Sequence, residues 1–317
     1  LDALVRDGRG DGEQARAWKH RFTELFNAAT NLCYWTERPR NDASKTEERQ
    51  GEPRVENFAT TVDWTLANGL RAKGHPLFWS IPKCVPEWAQ RYDTATFMKF
   101  AEVRVRSLVA RFRGRITFWD AVNEALWEAA PQHLAQRAWP HIESVPDIVG
   151  YVGPVLRWCR EEDPDATYLI NDYGTELEDK PLTGNDGSKV TAASQRKRFI
   201  ALTRALQDAG TPPNAIGLQS HTGGWARPSQ QWAVYDEYAD GTGLPVHVTE
   251  YWADTKRLKA TGMFDDAELD AMQARHVCDY LTCAFGHPAV DAFFFWDFMG
   301  AAIRWHDAFS SHETRPV

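Results

Sequence analysis

Short runs of β-branched and aromatic residues alternate along this chain with longer stretches of helical periodicity. The runs predict strands near Asn27–Thr30, Arg71–Trp79, Ile116–Val122, Thr167–Asp172, Ala215–Gln219, Val246–Glu250 and Asp291–Trp296. Helical patterns fall between them at about Glu13–Phe26, Glu56–Asn68, Thr94–Arg111, Ile148–Glu162, Ser188–Ala209, Ser229–Tyr238 and Asp266–Phe285. Several close on glycine, at Asn68-Gly69, Arg113-Gly114 and Ala209-Gly210, where a left-handed residue is expected to stop the helix. This alternation is the rhythm of repeated βα units around a parallel sheet, so the expected fold is α/β, a (β/α)8 TIM barrel.

No compositional break separates two halves, and residues 1–317 are expected to form a single barrel domain, with Asp7–Gly12 and Pro181–Gly187 as loops. Seven strands are one short of closure. Because helix Glu13–Phe26 comes first, the missing strand is expected before Leu1 and the last helix after Val317, as though the barrel were clipped at its seam. The alternative is that Leu1–Val5 supplies a short first strand.

Composition narrows the partners. With 43% apolar and 25% charged residues the chain can bury a full core. A net charge of −8 argues against nucleic acid or an anionic membrane surface, each of which needs a concentrated positive face. No run of about 20 apolar residues is present to span a bilayer. The 14 Trp suggest flat apolar platforms or, equally, the large side chains of a barrel core. Five cysteines cannot all pair and lack the clustering of a zinc site; Cys278 and Cys283 either meet across a helix end or remain free thiols. No metal or cofactor is expected.

In a parallel barrel the strands' C-terminal ends converge on one face, where side chains can act together. Phe118-Trp119-Asp120-Ala121-Val122-Asn123-Glu124 is an apolar strand that ends in two carboxylates and an amide. Burial at such a rim raises the pKa of one carboxyl, which can then protonate a leaving oxygen. The structural alternative is that Glu124 caps the next helix. Val246-His247-Val248-Thr249-Glu250 is an alternating strand with a terminal carboxylate. At the fourth and seventh strand positions the two carboxylates would face each other across the mouth, as retaining glycoside hydrolysis requires, about 5–5.5 Å apart. Gly217-Leu218-Gln219-Ser220-His221 ends another strand, and His221 is placed to hold a carboxylate ionised. Gly74-His75 with Trp79, Asn171-Asp172-Tyr173, and Phe295-Trp296-Asp297 with Trp305 complete the strand-end clusters; Trp79, Trp296 and Trp305 are candidate sugar platforms.

These residues resemble glycoside hydrolase family 10, best known for endo-β-1,4-xylanases. The likeness rests on Trp119–Glu124, Val248–Glu250, Gly74–Trp79, Asn171–Tyr173, Gly217–His221 and Phe295-Trp296, in the family's order and approximate spacing, and spans about Phe22 to Arg304. It implies retaining, endo-acting hydrolysis of a β-1,4-linked polysaccharide or oligosaccharide, xylan by default, with Glu124 as general acid/base and Glu250 as nucleophile. It further implies that Asn123 binds the 2-hydroxyl of the sugar being cleaved and that Gln219 and His221 orient the nucleophile. His75 and Trp79 would line the adjacent sugar site over a floor of Trp296. Asn31 would be the glycone-binding Asn, with Tyr173 and Trp305 as further sugar contacts. A secreted or extracytoplasmic monomer, with carbohydrate-binding modules possible at its flanks, goes with that likeness.

The chain also departs from the family. Thr30 and Tyr34 stand where a Glu and a Lys usually grip sugar hydroxyls; Ser80 replaces a His and Gly174 an Asn. Glu250-Tyr251-Trp252 replaces Glu-Leu-Asp. These changes keep open two alternatives: a carbohydrate-binding barrel without catalysis, and a β-glycanase for another polysaccharide.

Overall fold

The computed structural model describes residues 13–36, 46–47, 49–81, 84–126, 145–176, 182–183, 189–221, 226–253 and 255–296. Leu1–Val5, Asp297 and Trp305 lie outside them. The chain divides into two compact units, Leu1–Asn171 with Ala201–Asn214, and Asp172–Ile200 with Ala215–Val317.

The first unit carries α1 (Glu13–Leu25), β1 (Ala28–Leu32), α2 (Glu56–Ala67), β2 (Arg71–His75), α3 (Thr94–Arg111), β3 (Ile116–Asn123), α4 (Val145–Glu162) and nearly all of β4 (Thr167–Asp172). The strands pair in parallel in the order β1-β2-β3-β4. β3 and β4 are buried along almost their whole length, as strands covered on both faces must be, which is why they read as near-continuous apolar runs. Phe58 of α2 packs 4.7 Å from Phe112 and 6.1 Å from Trp119 of β3. Asn214 holds β4 from the side, its N–H donating to the Tyr168 carbonyl at 2.8 Å and its side-chain Oδ1 accepting from the Tyr168 N–H at 3.0 Å.

α5 (Ala192–Asp208) runs from the second unit into the first, and a two-residue antiparallel ladder, Leu182–Thr183 with Lys189–Val190, precedes it. The second unit then carries β5 (Ala215–Leu218), α6 (Pro228–Thr242), β6 (Val246–Tyr251), α7 (Lys256–Ala260), α8 (Asp266–Gly286) and β7 (Val290–Phe295). β5-β6-β7 are parallel neighbours, and β5 and β6 are buried throughout. The ring of Tyr251 of β6 lies 4.5 Å from that of Tyr280 of α8, tilted by 36°. α8 begins with a capping box in which Asp265 accepts from the Glu268 N–H at 2.8 Å and Glu268 accepts from the Asp265 N–H at 2.9 Å.

Seven βα strands are thus present among the described residues, six of them within two residues of their expected bounds. The exception is β2, expected to reach Trp79 but ending at His75. The glycine stops are as expected: Gly69, Gly114 and Gly210 all have positive φ, between 72° and 73°. Cys33, Cys84, Cys159 and Cys283 are buried and Cys278 is exposed; all five are free thiols. No described helix is long and apolar enough to cross a membrane.

Candidate functional site

In the first unit the polar ends of β2 and β3 form one buried cluster. Asp120 Oδ2 lies 2.8 Å from Lys73 Nζ and 2.7 Å from His75 Nδ1. Burial pushes the Asp120 carboxyl up, but the Lys73 charge and the His75 hydrogen bond outweigh it, and the net shift is downward. Just beyond Asp120 the β3–β4 register shifts, a local irregularity of the kind that re-aims side chains at a sheet's rim. Glu124 follows, with φ 54°, a left-handed conformation that residues with a Cβ seldom adopt. Its N–H donates to the Asn171 carbonyl at 2.7 Å, and its Oε2 accepts from the Trp79 indole N–H at 3.0 Å. Asn171 donates to Asn123 Oδ1 at 2.9 Å, fixing which way that amide faces.

Trp79 belongs to a small aromatic wall. The Tyr34 ring is 5.8 Å from His75 and 5.9 Å from Trp79. Arg104, buried on α3, ties the loops that carry these rings: it donates to the Leu77 carbonyl at 3.1 Å and also bonds the Cys33 carbonyl and the Thr46 hydroxyl. Burial pulls its pKa down to about 10, which leaves the guanidinium charged.

In the second unit Glu250 is 3% exposed near the end of β6, where the β6–β7 register also shifts. His221 Nε2 is 2.8 Å from Glu250 Oε2; toward an ionised carboxylate that nitrogen is the donor. The His221 ring stands nearly perpendicular to two indoles, Trp252 at 6.1 Å and Trp296 at 5.9 Å. Gln219 is buried, and its N–H donates to the Asp172 carbonyl at 3.0 Å. Tyr173, half-buried, donates its N–H to Asp172 Oδ1 at 3.0 Å.

The expected residues therefore fall into two sets. Glu124, Asn123, His75 and Trp79 come together in the first unit, and Glu250, His221 and Trp296 in the second. Asn31 joins neither. Its amide faces α2 and the backbone, donating to the Ala29 carbonyl at 3.0 Å and the Lys73 carbonyl at 3.4 Å and accepting from Thr65 at 3.2 Å. Three polar residues were not expected from the sequence, Lys73, Arg104 and Glu176, and Ser220 lies in the expected Gly217–His221 cluster without a role assigned to it. A lysine inside an apolar strand, as in Ala72-Lys73-Gly74, was the one available signal.

Residues 36–317 match the family profile described as glycosyl hydrolase family 10. Among curated proteins, a β-1,4-xylanase of Dictyoglomus thermophilum is 29% identical over 60% of this chain and 48% of its own length. An endo-1,4-β-xylanase 5-like protein of Arabidopsis thaliana is 26% identical over 87% of this chain and 42% of its own. The chain thus spans about half, or less, of the length of these relatives. Among solved structures, one from Paenibacillus barcinonensis has TM-score 0.70 at 21% identity, covering 100% of this chain and 87% of that one. The native xylanase 10B of Thermotoga maritima has TM-score 0.68 at 20% identity, covering 91% and 80%. At these identities the likeness speaks to the fold, the (β/α)8 barrel of which the described residues hold seven strands.

Proposed function

Because this chain belongs to glycosyl hydrolase family 10, we propose that it hydrolyses β-1,4-linked xylan internally and with retention, Glu250 attacking the anomeric carbon and Glu124 serving as acid, then base. The observation that carries the assignment is the pairing of Glu250 with His221 at 2.8 Å. Glu250 takes a hydrogen bond from the imidazole of His221, which favours its ionised, nucleophilic form. Glu124 sits at a strand end in a left-handed conformation, and its Oε2 accepts a hydrogen bond from the Trp79 indole, a neutral donor.

In this reading, attack by Glu250 forms a covalent glycosyl-enzyme while Glu124 protonates the departing sugar oxygen. Glu124 then removes a proton from the incoming water, which displaces Glu250. Asn123, oriented by Asn171, contacts the 2-hydroxyl of the sugar being cleaved, and His75 and Trp79 line the adjacent sugar site with Trp296 as its floor. The family likeness and the xylanase relatives support the substrate class. Tyr34 against His75 and Trp79 makes the sugar-facing wall more aromatic than the usual family pattern, which favours stacking over hydroxyl recognition there.

The test is azide rescue. Glu250→Ala is expected to lower kcat by roughly 10⁴–10⁶-fold, the scale on which loss of a covalent nucleophile acts elsewhere, and azide should then restore turnover with an α-glycosyl azide as product. Glu124→Ala should yield the β-azide instead, because azide there intercepts the covalent intermediate. Turnover surviving Glu250→Ala, or the two azide products exchanged, would reject the roles. A panel of xylan, mannan and β-glucan checks the substrate in the same assay.

A further inference from the structure

Glu176 has no part in the chemistry above, yet it is among the most completely enclosed acids in the second unit, 1% exposed just past the end of β4. Its Oε1 gathers donors from three separate segments: Ser220 Oγ at 2.7 Å, Tyr280 Oη of α8 at 2.8 Å and Gln231 Nε2 of α6 at 3.3 Å. Tyr280 Oη also lies 3.2 Å from Ser220 Oγ, closing the ring of contacts. The backbone beneath is fixed too. Arg196, itself paired with Glu237 at 2.6 Å, donates to the Glu176 carbonyl at 2.7 Å, and Tyr238 donates to the Thr175 carbonyl at 3.3 Å.

Ser220 is where this network meets the nucleophile. Its φ of 58° is left-handed, a conformation that persists in a residue with a Cβ only when its surroundings hold it. Its carbonyl accepts the Trp252 N–H at 3.4 Å, two residues beyond Glu250, and the next residue is His221, whose ring holds Glu250. We propose that Glu176 is a positioning residue for the nucleophile: by gripping the Ser220 hydroxyl it fixes the left-handed turn that delivers His221 to Glu250. The proposal rests on the reading of Glu250 as nucleophile.

Burial pushes the Glu176 carboxyl above the ordinary range, and the bonds from Ser220, Tyr280 and Gln231 pull against that shift without reversing it. The neutral acid is therefore the form to imitate. Glutamine has its shape and keeps an acceptor for Ser220; alanine has none. Ser220→Gly removes the hydroxyl while tolerating the backbone conformation.

The experiment compares wild type, Glu176→Gln, Glu176→Ala and Ser220→Gly. It measures kcat and KM on 4-nitrophenyl β-xylobioside, and the rate at which a 2-deoxy-2-fluoro-β-xylobioside with a dinitrophenyl leaving group labels Glu250, per folded molecule, by mass spectrometry. Glu176→Ala and Ser220→Gly should lose roughly ten- to hundredfold in kcat and in labelling rate, the cost of misplacing a reacting group by a fraction of an ångström to an ångström. KM should change little, and Glu176→Gln should stay within about threefold of wild type on the same scale. A merely structural role would lower the melting temperature and leave the labelling rate unchanged; that result in Ser220→Gly overturns the proposal even if Glu176→Ala does not fold. Wild type left unlabelled at Glu250 overturns the functional reading instead. The positioning claim is then judged on the ¹⁵N-histidine spectrum, where the His221 Nε2–H signal must be lost in Ser220→Gly and kept in Glu176→Gln, and stands or falls on that.

Discussion

Asp120 is a charge that stabilises only in company. It is completely enclosed, and Lys73 and His75 both bond to its Oδ2. An unfolded aspartate titrates near 3.9; the folded one lies lower, so folding favours the ionised form. The associated stability is fully present above about pH 4 and is lost as pH falls through the folded pKa. Asp120→Asn should cost about 3–5 kcal/mol at pH 7, because it leaves the buried lysine without its counter-charge. Urea unfolding should show the gap between variant and wild type narrowing below about pH 4; a gap independent of pH would mean that the carboxylate's charge contributes nothing. The same contrast between local pattern and company explains which candidate site residues were legible in the sequence. Glu124, Glu250 and His221 could be read because each closes a strand-like run, where a barrel exposes polar groups. Asn31 occupies a similar place but spends its amide on Thr65 and the backbone, a choice set by α2 rather than by its neighbours in sequence. Glu176 follows β4 in a stretch with no periodicity, and its burial depends on α6, α8 and Ser220, none of which is near it in the chain.

Among elements, β2 departed furthest from its expected length, and the cause is one residue. Pro76 has no N–H to donate, so the ladder stops at His75 although Leu77-Phe78-Trp79 continue the apolar run. The chain then steps against β3 in a new register, with the Leu77 and Phe78 N–H groups donating to the carbonyls of Asp120 and Ala121 at 3.0 and 3.1 Å. That step places Trp79 beside Glu124. α6 runs past its expected end at Tyr238 to Thr242: Gly241 packs against Ile200, where a Cβ would come within 2.9 Å, and the stop is Gly243, with φ 69°. Gly74 makes a closer approach still: it lies opposite Trp119 in the β2–β3 register, and a Cβ there would stand 2.2 Å from the indole. Trp119 is fully buried and cannot swing aside. Gly74→Ala should therefore destabilise the protein by about 1–3 kcal/mol, the usual range for overpacking, read as a lower urea midpoint with unchanged slope; a neutral result would show that the indole has room to move.

On the scale of the whole molecule, the alternation of strands and helices was the most legible property, because parallel strands covered on both faces must be apolar from end to end and helices must carry a stripe. Two of the three boundaries between the units were not legible: they fall inside β4 and inside α5, within elements that look uniform in sequence, while the third, at Asn214, precedes β5. Arg106, half-buried, links two helices by pairing with Glu102 of α3 at 2.8 Å and with Glu162 of α4 at 2.9 Å.

The distribution of sulfur turns the fold into its own reporter. Burial pushes the Cys33 thiol up to about 12 and raises those of Cys159 and Cys283, so these groups are both shielded and unreactive, whereas Cys278 stands in solvent. A chromogenic disulfide reagent should consume one equivalent per native chain, and the remaining four of the five cysteines only in denaturant. Stoichiometry followed over time would then clock the opening of both units, and a Cys278→Ser chain, silent until it unfolds, would give that clock a zero baseline. More than one fast equivalent under native conditions would contradict the enclosure of the other four.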